Sequence, residues 1–190
     1  MEIKLVDQKT VLIKGKKESV LINPSEEILS KQNSRIIVYS HLENKTVKPV
    51  SDKIAVAGPG EYEIGGVEIN GFSDGSGGTF YSIKVDGFVI GLVDKLGEEL
   101  SDKKIEKIDG IDVFIFDVSN ESSVGSKSMV QLAKKWGANY LLPVGATGEE
   151  DYFVKFMDEA DCEGKEAIDV LKLVDKENLP DGMEVVILKS

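Results

Sequence analysis

The chain has 190 residues, of which 41% are hydrophobic and 30% charged, a balance typical of a globular protein that buries its core without disulfides. Its net charge of −11 repels phosphate backbones and anionic lipids, so we expect neither nucleic acid nor membrane as a partner. The single cysteine excludes disulfides and thiolate zinc clusters within one chain, and no apolar run approaches the ~20 residues of a membrane span, so we expect one cytoplasmic domain over residues 1–190.

The first part of the chain is predicted to form β-strands. Apolar residues at positions 3 and 5, at 11–13 and at 20–22 indicate three strands, the third of which spans 19–22. Acidic residues after Pro24 favour a short helix, because they lie in its first turn, where the helix dipole attracts negative charge. Within the segment 35–40, the apolar residues run without a break from 36 to 39, which is typical of a strand buried on both faces.

Residues 55–72 are predicted to form three strands that sit together as a meander in a larger sheet. Apolar residues alternate there with acidic or small ones, which is the pattern of half-buried strands. Pro59 presets the first turn, and the Gly65-Gly66 pair supplies backbone that tolerates positive φ in the second.

The remaining chain is predicted to contain a hairpin and then alternating strands and helices. Asp86-Gly87 is a strong turn signal between strands 79–85 and 88–93. Beyond it, strands and helices alternate, which indicates a sheet covered by helices. The predicted strands lie at 112–118, 140–143, 168–174 and 184–188, and the predicted helices at 101–108, 126–136 and 152–159.

The segment over residues 58–67 resembles one found in bacterial metallo-β-lactamase-fold proteins, in the branch of metal-dependent hydrolases. The strand ending at Asn23-Pro24 looks like the family's strand ending in Asp-Pro. The strand before His41 looks like the one that delivers the His-x-His-x-Asp-His metal motif, and the strand before Asp94 looks like the one whose Asp bridges two metals. The resemblance covers nearly the whole chain and implies an α/β protein, an αββα four-layer sandwich with a site where strand ends meet.

Placed against that metal motif, the chain keeps only the first ligand. His41 matches the first histidine, whereas Glu43 replaces the second histidine, Lys45 the aspartate and Thr46 the third histidine. The resemblance therefore implies a degenerate metal motif.

The family's other histidine positions are also changed. One falls near Gln8 in the first turn and another at Gly145 after the strand 140–143, and the chain has a single histidine in all. The remnant metal ligands that the resemblance implies are His41, Asp94 and Glu43.

Two functions follow from this degenerate site. We expect a non-catalytic member of the fold that acts as a binding or structural protein, with no cofactor, and that binds a small-molecule ligand or a protein partner or associates with a second copy of itself. The alternative is a hydrolase of phosphoesters, esters or amides with one zinc or other divalent ion on His41, Glu43 and Asp94. In the non-catalytic case an ammonium from Lys45 or Lys95 is predicted to neutralise the leftover carboxylates.

Overall fold

The computed structural model describes residues 1–40, 52–75, 77–94, 100–108, 110–119, 124–145, 151–161 and 165–190. They form two β-sheets and four helices. The strands are β1 (Glu2–Leu5), β2 (Val11–Lys14), β3 (Ser19–Ile22), β4 (Ile36–Tyr39), β5 (Ile54–Ala57), β6 (Gly60–Ile64), β7 (Val67–Ser73), β8 (Thr79–Val85), β9 (Phe88–Val93), β10 (Val113–Asp117), β11 (Tyr140–Val144), β12 (Leu171–Lys172) and β13 (Glu184–Val185). The helices are α1 (Glu26–Lys31), α2 (Asp102–Ile105), α3 (Ser126–Lys135) and α4 (Asp151–Glu159), with a 3-10 turn at Lys176–Asn178.

The first sheet has the order β12-β1-β2-β3-β4-β5. β1, β2 and β3 are antiparallel neighbours, whereas β3, β4 and β5 run parallel. Parallel neighbours need a crossover, and α1 supplies it between β3 and β4. The Ser25 side chain caps this helix by accepting a hydrogen bond from the Ile28 N–H.

The second sheet has the order β13-β11-β10-β9-β8-β7-β6. β6 to β9 form antiparallel pairs, and β9, β10, β11 and β13 run parallel. Parallel strands end at the same edge, so the ends of β9, β10 and β11 lie side by side. This edge carries the candidate site.

Two apolar cores explain the layers. One lies between the sheets and contains inward-facing residues such as Ile13, Val38, Ile83 and Ile115. The other fills the outer face of the second sheet, where Phe114, Phe116 and Leu141 pack with side chains of α3 and α4. The predicted αββα sandwich is confirmed. None of the helices in the described ranges combines the length and hydropathy that crossing a bilayer requires.

The predicted meander over 55–72 is wrong in one respect. β5 belongs to the first sheet, where it pairs with β4, and β6 and β7 belong to the second. The turn at Gly58-Pro59 is therefore a crossing between sheets, with Gly58 at φ 101°. The Gly65-Gly66 turn is a hairpin, as predicted, and both of its residues have positive φ.

The hairpin at Asp86-Gly87 is confirmed, and both residues adopt the positive φ that a tight hairpin turn requires. The last two strands are shorter than predicted. Strand pairing is confined to β12 over 168–174 and to β13 over 184–188, apart from an isolated bridge between Ile168 and Leu188.

Candidate functional site

Polar residues and glycine follow the strands of both sheets at one edge of the sandwich. Each comes at or directly after the carboxyl end of a parallel strand, where α/β folds place their binding sites. These residues are Asn23 after β3, Ser40 after β4, Asp94 after β9, Asp117 at the end of β10 and Gly145 after β11.

A lysine from the first turn reaches into this edge. The Asp7 carboxylate accepts hydrogen bonds from the backbone N–H groups of Lys9 and Thr10, at 2.8 and 2.6 Å, which shapes the β1–β2 turn. The Lys9 Nζ then lies 3.1 Å from Asp117 Oδ2 and 3.3 Å from the Ser119 hydroxyl. The turn thereby places an ammonium group among the strand ends.

Asp117 is a buried carboxylate with both oxygens engaged. Its side chain is only 2% exposed, whereas the Lys9 side chain is 40% exposed. One oxygen receives the Lys9 ammonium and the other accepts a hydrogen bond from the Ser119 N–H at 2.6 Å. Burial of a carboxylate is costly unless it is paired and hydrogen-bonded, and Asp117 has both kinds of partner.

Asp94 belongs to a second hydrogen-bonded chain at the same edge. The Ser40 hydroxyl donates to Asp94 Oδ2 at 2.9 Å, and the Asn23 amide holds Ser40 by accepting from its N–H at 2.9 Å and donating to its hydroxyl at 2.8 Å. Burial, followed by the charge of Asp117, raises the pKa of Asp94 to about 6, against smaller lowering effects of Ser40 and Lys9. The charge of Asp117 therefore lies close enough to hinder the ionisation of Asp94.

Gly145 occupies the position that the family resemblance gives to a histidine ligand. Its φ is +87°, and a β-carbon built on it would overlap the Asp117 carboxylate. Its N–H donates to the Gln8 carbonyl at 2.6 Å. The space that a side chain at 145 would need is thus taken by Asp117, and Gln8 contributes its backbone to the site.

The predicted motif itself is not part of the described structure. His41, Glu43, Lys45, Thr46 and Lys95 all lie outside the described residues. Their roles, including the predicted pairing of Lys45 or Lys95 with Asp94, stay predictions. Of the proposed remnant ligands, the structure describes Asp94, and it brings Gln8 and Gly145 to the same edge.

The described part of this edge does not fit a dinuclear metal centre. Among the described residues, no group of three or more His, Cys, Asp or Glu side chains is arranged to hold a metal ion. A catalytic zinc needs about three protein ligands and an open position. Here an ammonium lies beside the carboxylates, and the cavity lined by Lys9, Asn23, Asp94 and Asp117 measures about 10 Å³. Such a cavity holds about one water molecule.

Lys9 and Asp117 were not among the predicted site residues. Asp117 falls within the predicted strand 112–118, and Lys9 follows Gln8 in the first turn. One signal in the sequence does point to them: an aspartate that ends an otherwise apolar, buried strand needs a partner for its charge. The identity of that partner depends on a contact across 108 residues of chain.

Comparison with known proteins agrees with this fold. A family model for the beta-lactamase superfamily domain matches residues 2–145. A comparison with curated protein sequences finds no match.

Several solved structures are similar over nearly the whole chain. A candidate Zn-dependent hydrolase of the metallo-β-lactamase superfamily from Thermotoga maritima is 19% identical, with a TM-score of 0.77 over 99% of this chain and 98% of that one. The metallo-β-lactamase fold protein YhfI from Bacillus subtilis is 13% identical, with a TM-score of 0.63 over 100% and 96%. A candidate metal-dependent hydrolase from Parabacteroides distasonis is 12% identical, with a TM-score of 0.63 over 98% and 93%. At these identities the likeness establishes the fold alone.

Proposed function

The chain belongs to the β-lactamase superfamily, and on that premise we propose that it is a non-catalytic member, which keeps the scaffold for a binding or structural role without a dinuclear metal centre. The observation that supports this most is the ion pair between Lys9 and Asp117 at 3.1 Å, placed where the strand ends meet. Gly145 adds to it, because it offers no side-chain ligand at the end of β11.

The charges at the strand ends are the physical reason to expect no dinuclear metal centre there. A two-metal site brings at least four positive charges together, and it relies on several carboxylates and imidazoles to hold them. The described edge instead carries one ammonium and two carboxylates, Asp94 and Asp117. A divalent ion beside the Lys9 ammonium would be repelled, and that repulsion is strong where water is excluded.

The small cavity bears on what the protein binds. With room for about one water molecule, the pocket among Lys9, Asp94 and Asp117 is too small for an organic ligand. The proposal therefore favours a protein partner or a second copy of this chain over a ligand held at the strand ends. The net charge of −11 argues against nucleic acid and anionic membranes, and we propose a single cytoplasmic domain over residues 1–190.

Metal analysis of the purified, tag-free protein tests this function. We expect far less than one zinc, manganese or iron per chain by inductively coupled plasma mass spectrometry, and a melting temperature that EDTA leaves unchanged. The physical reason is that the Lys9 ammonium already neutralises the carboxylates that a metal would need.

One result would contradict the proposal. Stoichiometric metal that disappears in His41→Ala would support the alternative, a hydrolase of phosphoesters, esters or amides with a mononuclear site on His41, Glu43 and Asp94. A Lys172→Ala variant, whose exposed side chain lies away from the strand ends on β12, controls for general effects of mutation.

A further inference from the structure

We propose that the free edge of β6 binds an extended segment of a partner protein in which basic and apolar residues alternate, so that the segment extends the second sheet by one strand. The inference deepens the proposed function and rests on it, since it names the chemistry of the protein that a non-catalytic member would bind. It concerns a different part of the sandwich from the strand-end site, because β9, β8 and β7 separate β6 from β10.

β6 is the last strand of the second sheet, and its outer edge is unpaired within the described ranges. The turn from β6 to β7 has two residues, both with positive φ, so the pair that flanks it is hydrogen-bonded and the next pair, Glu63 and Glu68, is not. The backbone N–H and C=O groups of Glu61 and Glu63 therefore point away from β7, and no hydrogen bond from another described residue reaches them. An extended peptide adds a strand to such an edge through main-chain hydrogen bonds.

The usual protections of an edge strand are missing from β6. Natural edges are kept from pairing by short strands, lysines, prolines or bulges. β12 and β13, at the other end of the two sheets, have two residues each, whereas β6 has five, none of them lysine or proline. The pairing of β6 with β7 runs in unbroken register, so no bulge turns this edge away from a partner. β6 is therefore long and regular enough to pair with a further strand.

The outer face of this edge is negatively charged. Glu61 and Glu63 are both exposed, and Glu63 lies directly opposite Glu68, a placement that is destabilising for like charges. Lys84 on β8 contacts Glu68 at 2.9 Å, whereas no cation among the described residues pairs with Glu63. A lysine or arginine on an added strand would lie beside Glu63 and offset that repulsion. The outward-facing residues of the partner are therefore basic.

The inner face of the edge is apolar and partly open. Tyr62 and Ile64 alternate with the glutamates and pack against the core between the sheets, yet both keep some exposure. β5, the edge strand of the first sheet, leads directly into β6, so the two free edges lie on the same side of the sandwich. Ile54 of β5 shares the inward face of the buried Val56 and is nevertheless 41% exposed. Apolar residues at alternate positions of an added strand would cover this opening.

A second copy of β6 does not meet these requirements. Two antiparallel β6 strands would place the glutamates of one copy beside those of the other, where like charges are destabilising. The net charge of −11 on each chain adds to that repulsion. The occupant that fits is therefore a basic strand of another protein.

The test measures the binding of the peptide Gly-Lys-Val-Lys-Val-Lys-Gly, labelled with fluorescein and amidated, by fluorescence anisotropy. Its lysines and valines alternate as the edge requires, and valine favours the extended conformation. The control peptide Gly-Lys-Lys-Lys-Val-Val-Gly has the same composition and charge without the alternation. We expect a dissociation constant on the order of 100 µM for the alternating peptide and binding about tenfold weaker for the control.

Variants of the protein locate the binding. Glu63→Pro removes the outward N–H and leaves the bonds between β6 and β7 in place, because proline is tolerated on an edge strand whose N–H faces solvent. We expect it to weaken the alternating peptide about tenfold, and Glu63→Gln, which removes only the charge, about threefold. Glu177→Gln is the control: this exposed glutamate lies in the 3-10 turn between β12 and β13, and its variant should bind like the unmodified protein. If Glu63→Pro does not fold, the two peptides still decide on the unmodified protein.

The inference is overturned if the alternating peptide binds no better than its control, or if Glu63→Pro binds it as tightly as the unmodified protein does. It is also overturned if the protein is a dimer in sedimentation equilibrium that Glu63→Pro converts to a monomer, because a second copy would then occupy the edge. These failures leave the absence of a dinuclear centre untouched. Conversely, metal bound to the unmodified chain would refute that part of the proposed function whatever the peptides do.

Discussion

Gly145 and Asp117 depend on each other at the scale of single residues. Gly145 has φ +87°, a conformation that residues with a β-carbon rarely adopt, and its missing side chain leaves room for the Asp117 carboxylate. The missing side chain at 145 and the position of the buried carboxylate at 117 therefore belong to one packing arrangement.

Gly145→Ala should lower the free energy of unfolding by about 3 kcal/mol, because it combines backbone strain with a clash against Asp117. Urea unfolding measures the loss. Gly137→Ala is the matched control: Gly137 has φ +65° but open space around its α-carbon, so only strain of about 1 kcal/mol applies. Equal losses of unfolding free energy in the two variants would show that the Asp117 side chain moves aside without an energetic penalty.

Asp94→Asn should change how stability depends on pH. The pKa of Asp94 is raised in the folded protein from its ordinary 3.8 to about 6, chiefly by burial and then by Asp117, with Lys9 opposing. The folded state therefore holds the proton more tightly, and the stability from this group is complete below pH 4 and lost as pH rises through 6. The variant has no carboxyl to ionise, so it avoids this loss.

We expect Asp94→Asn to equal the unmodified protein at pH 4 and to exceed it at pH 7.5 by about 3 kcal/mol in urea unfolding. Asp169→Asn is the control, because that side chain is 87% exposed. A variant that is less stable than the unmodified protein at pH 7.5 would mean that the ionised Asp94 is the form that the fold requires.

At the scale of elements, the crossing from β5 to β6 joins the two sheets, and Tyr81 of β8 secures it. The Tyr81 side chain is fully buried, its hydroxyl accepts from the Gly58 N–H at 2.8 Å and it donates to the Tyr39 carbonyl at 3.0 Å. One hydroxyl of the second sheet thus satisfies backbone groups at the ends of β4 and β5 in the first.

Tyr81→Phe should cost about 2 kcal/mol, because it leaves the Gly58 N–H and the Tyr39 carbonyl without their buried partner. Chemical denaturation provides the measurement. Tyr140→Phe on β11 is the control, since Tyr140 is only partly buried. A Tyr81→Phe variant as stable as the control would show that water replaces the hydroxyl at this crossing.

The elements also show what sequence patterns predict and where they stop. The run 113–117 and the Asp86-Gly87 turn have local signals, apolar continuity and turn chemistry, and both were predicted correctly. The turn at Gly58-Pro59 suits a hairpin as well as a crossing. The pairing of β5 with β4 makes this turn a crossing between sheets, and no local pattern in the sequence encodes that pairing.

The candidate site was also predictable only in part. The family resemblance identified the edge of the sandwich and placed Gln8, Asp94 and Gly145 there, because strand order and turn motifs are shared across the superfamily. The Lys9–Asp117 pair was missed, since each residue has an ordinary local context and only the packing of the two sheets brings them together.

At the scale of the whole molecule, a lysine of the first sheet pairs with an aspartate of the second at the edge where the strand ends meet. The Lys9–Asp117 pair and the Ser40–Asp94 bond both link the sheets at this edge, where Lys9, Asp94 and Asp117 line a cavity that holds about one water. On the proposed function, a sandwich closed in this way keeps its shape without a metal.

The most direct test is a crystal structure of the protein grown with 1 mM ZnCl₂, with anomalous data collected at the zinc edge. The account predicts no zinc peak at the strand ends and the Lys9 ammonium in contact with Asp117, as in the 3.1 Å pair described above. A zinc peak coordinated by Asp94 or Asp117, with Lys9 displaced towards solvent, would contradict it.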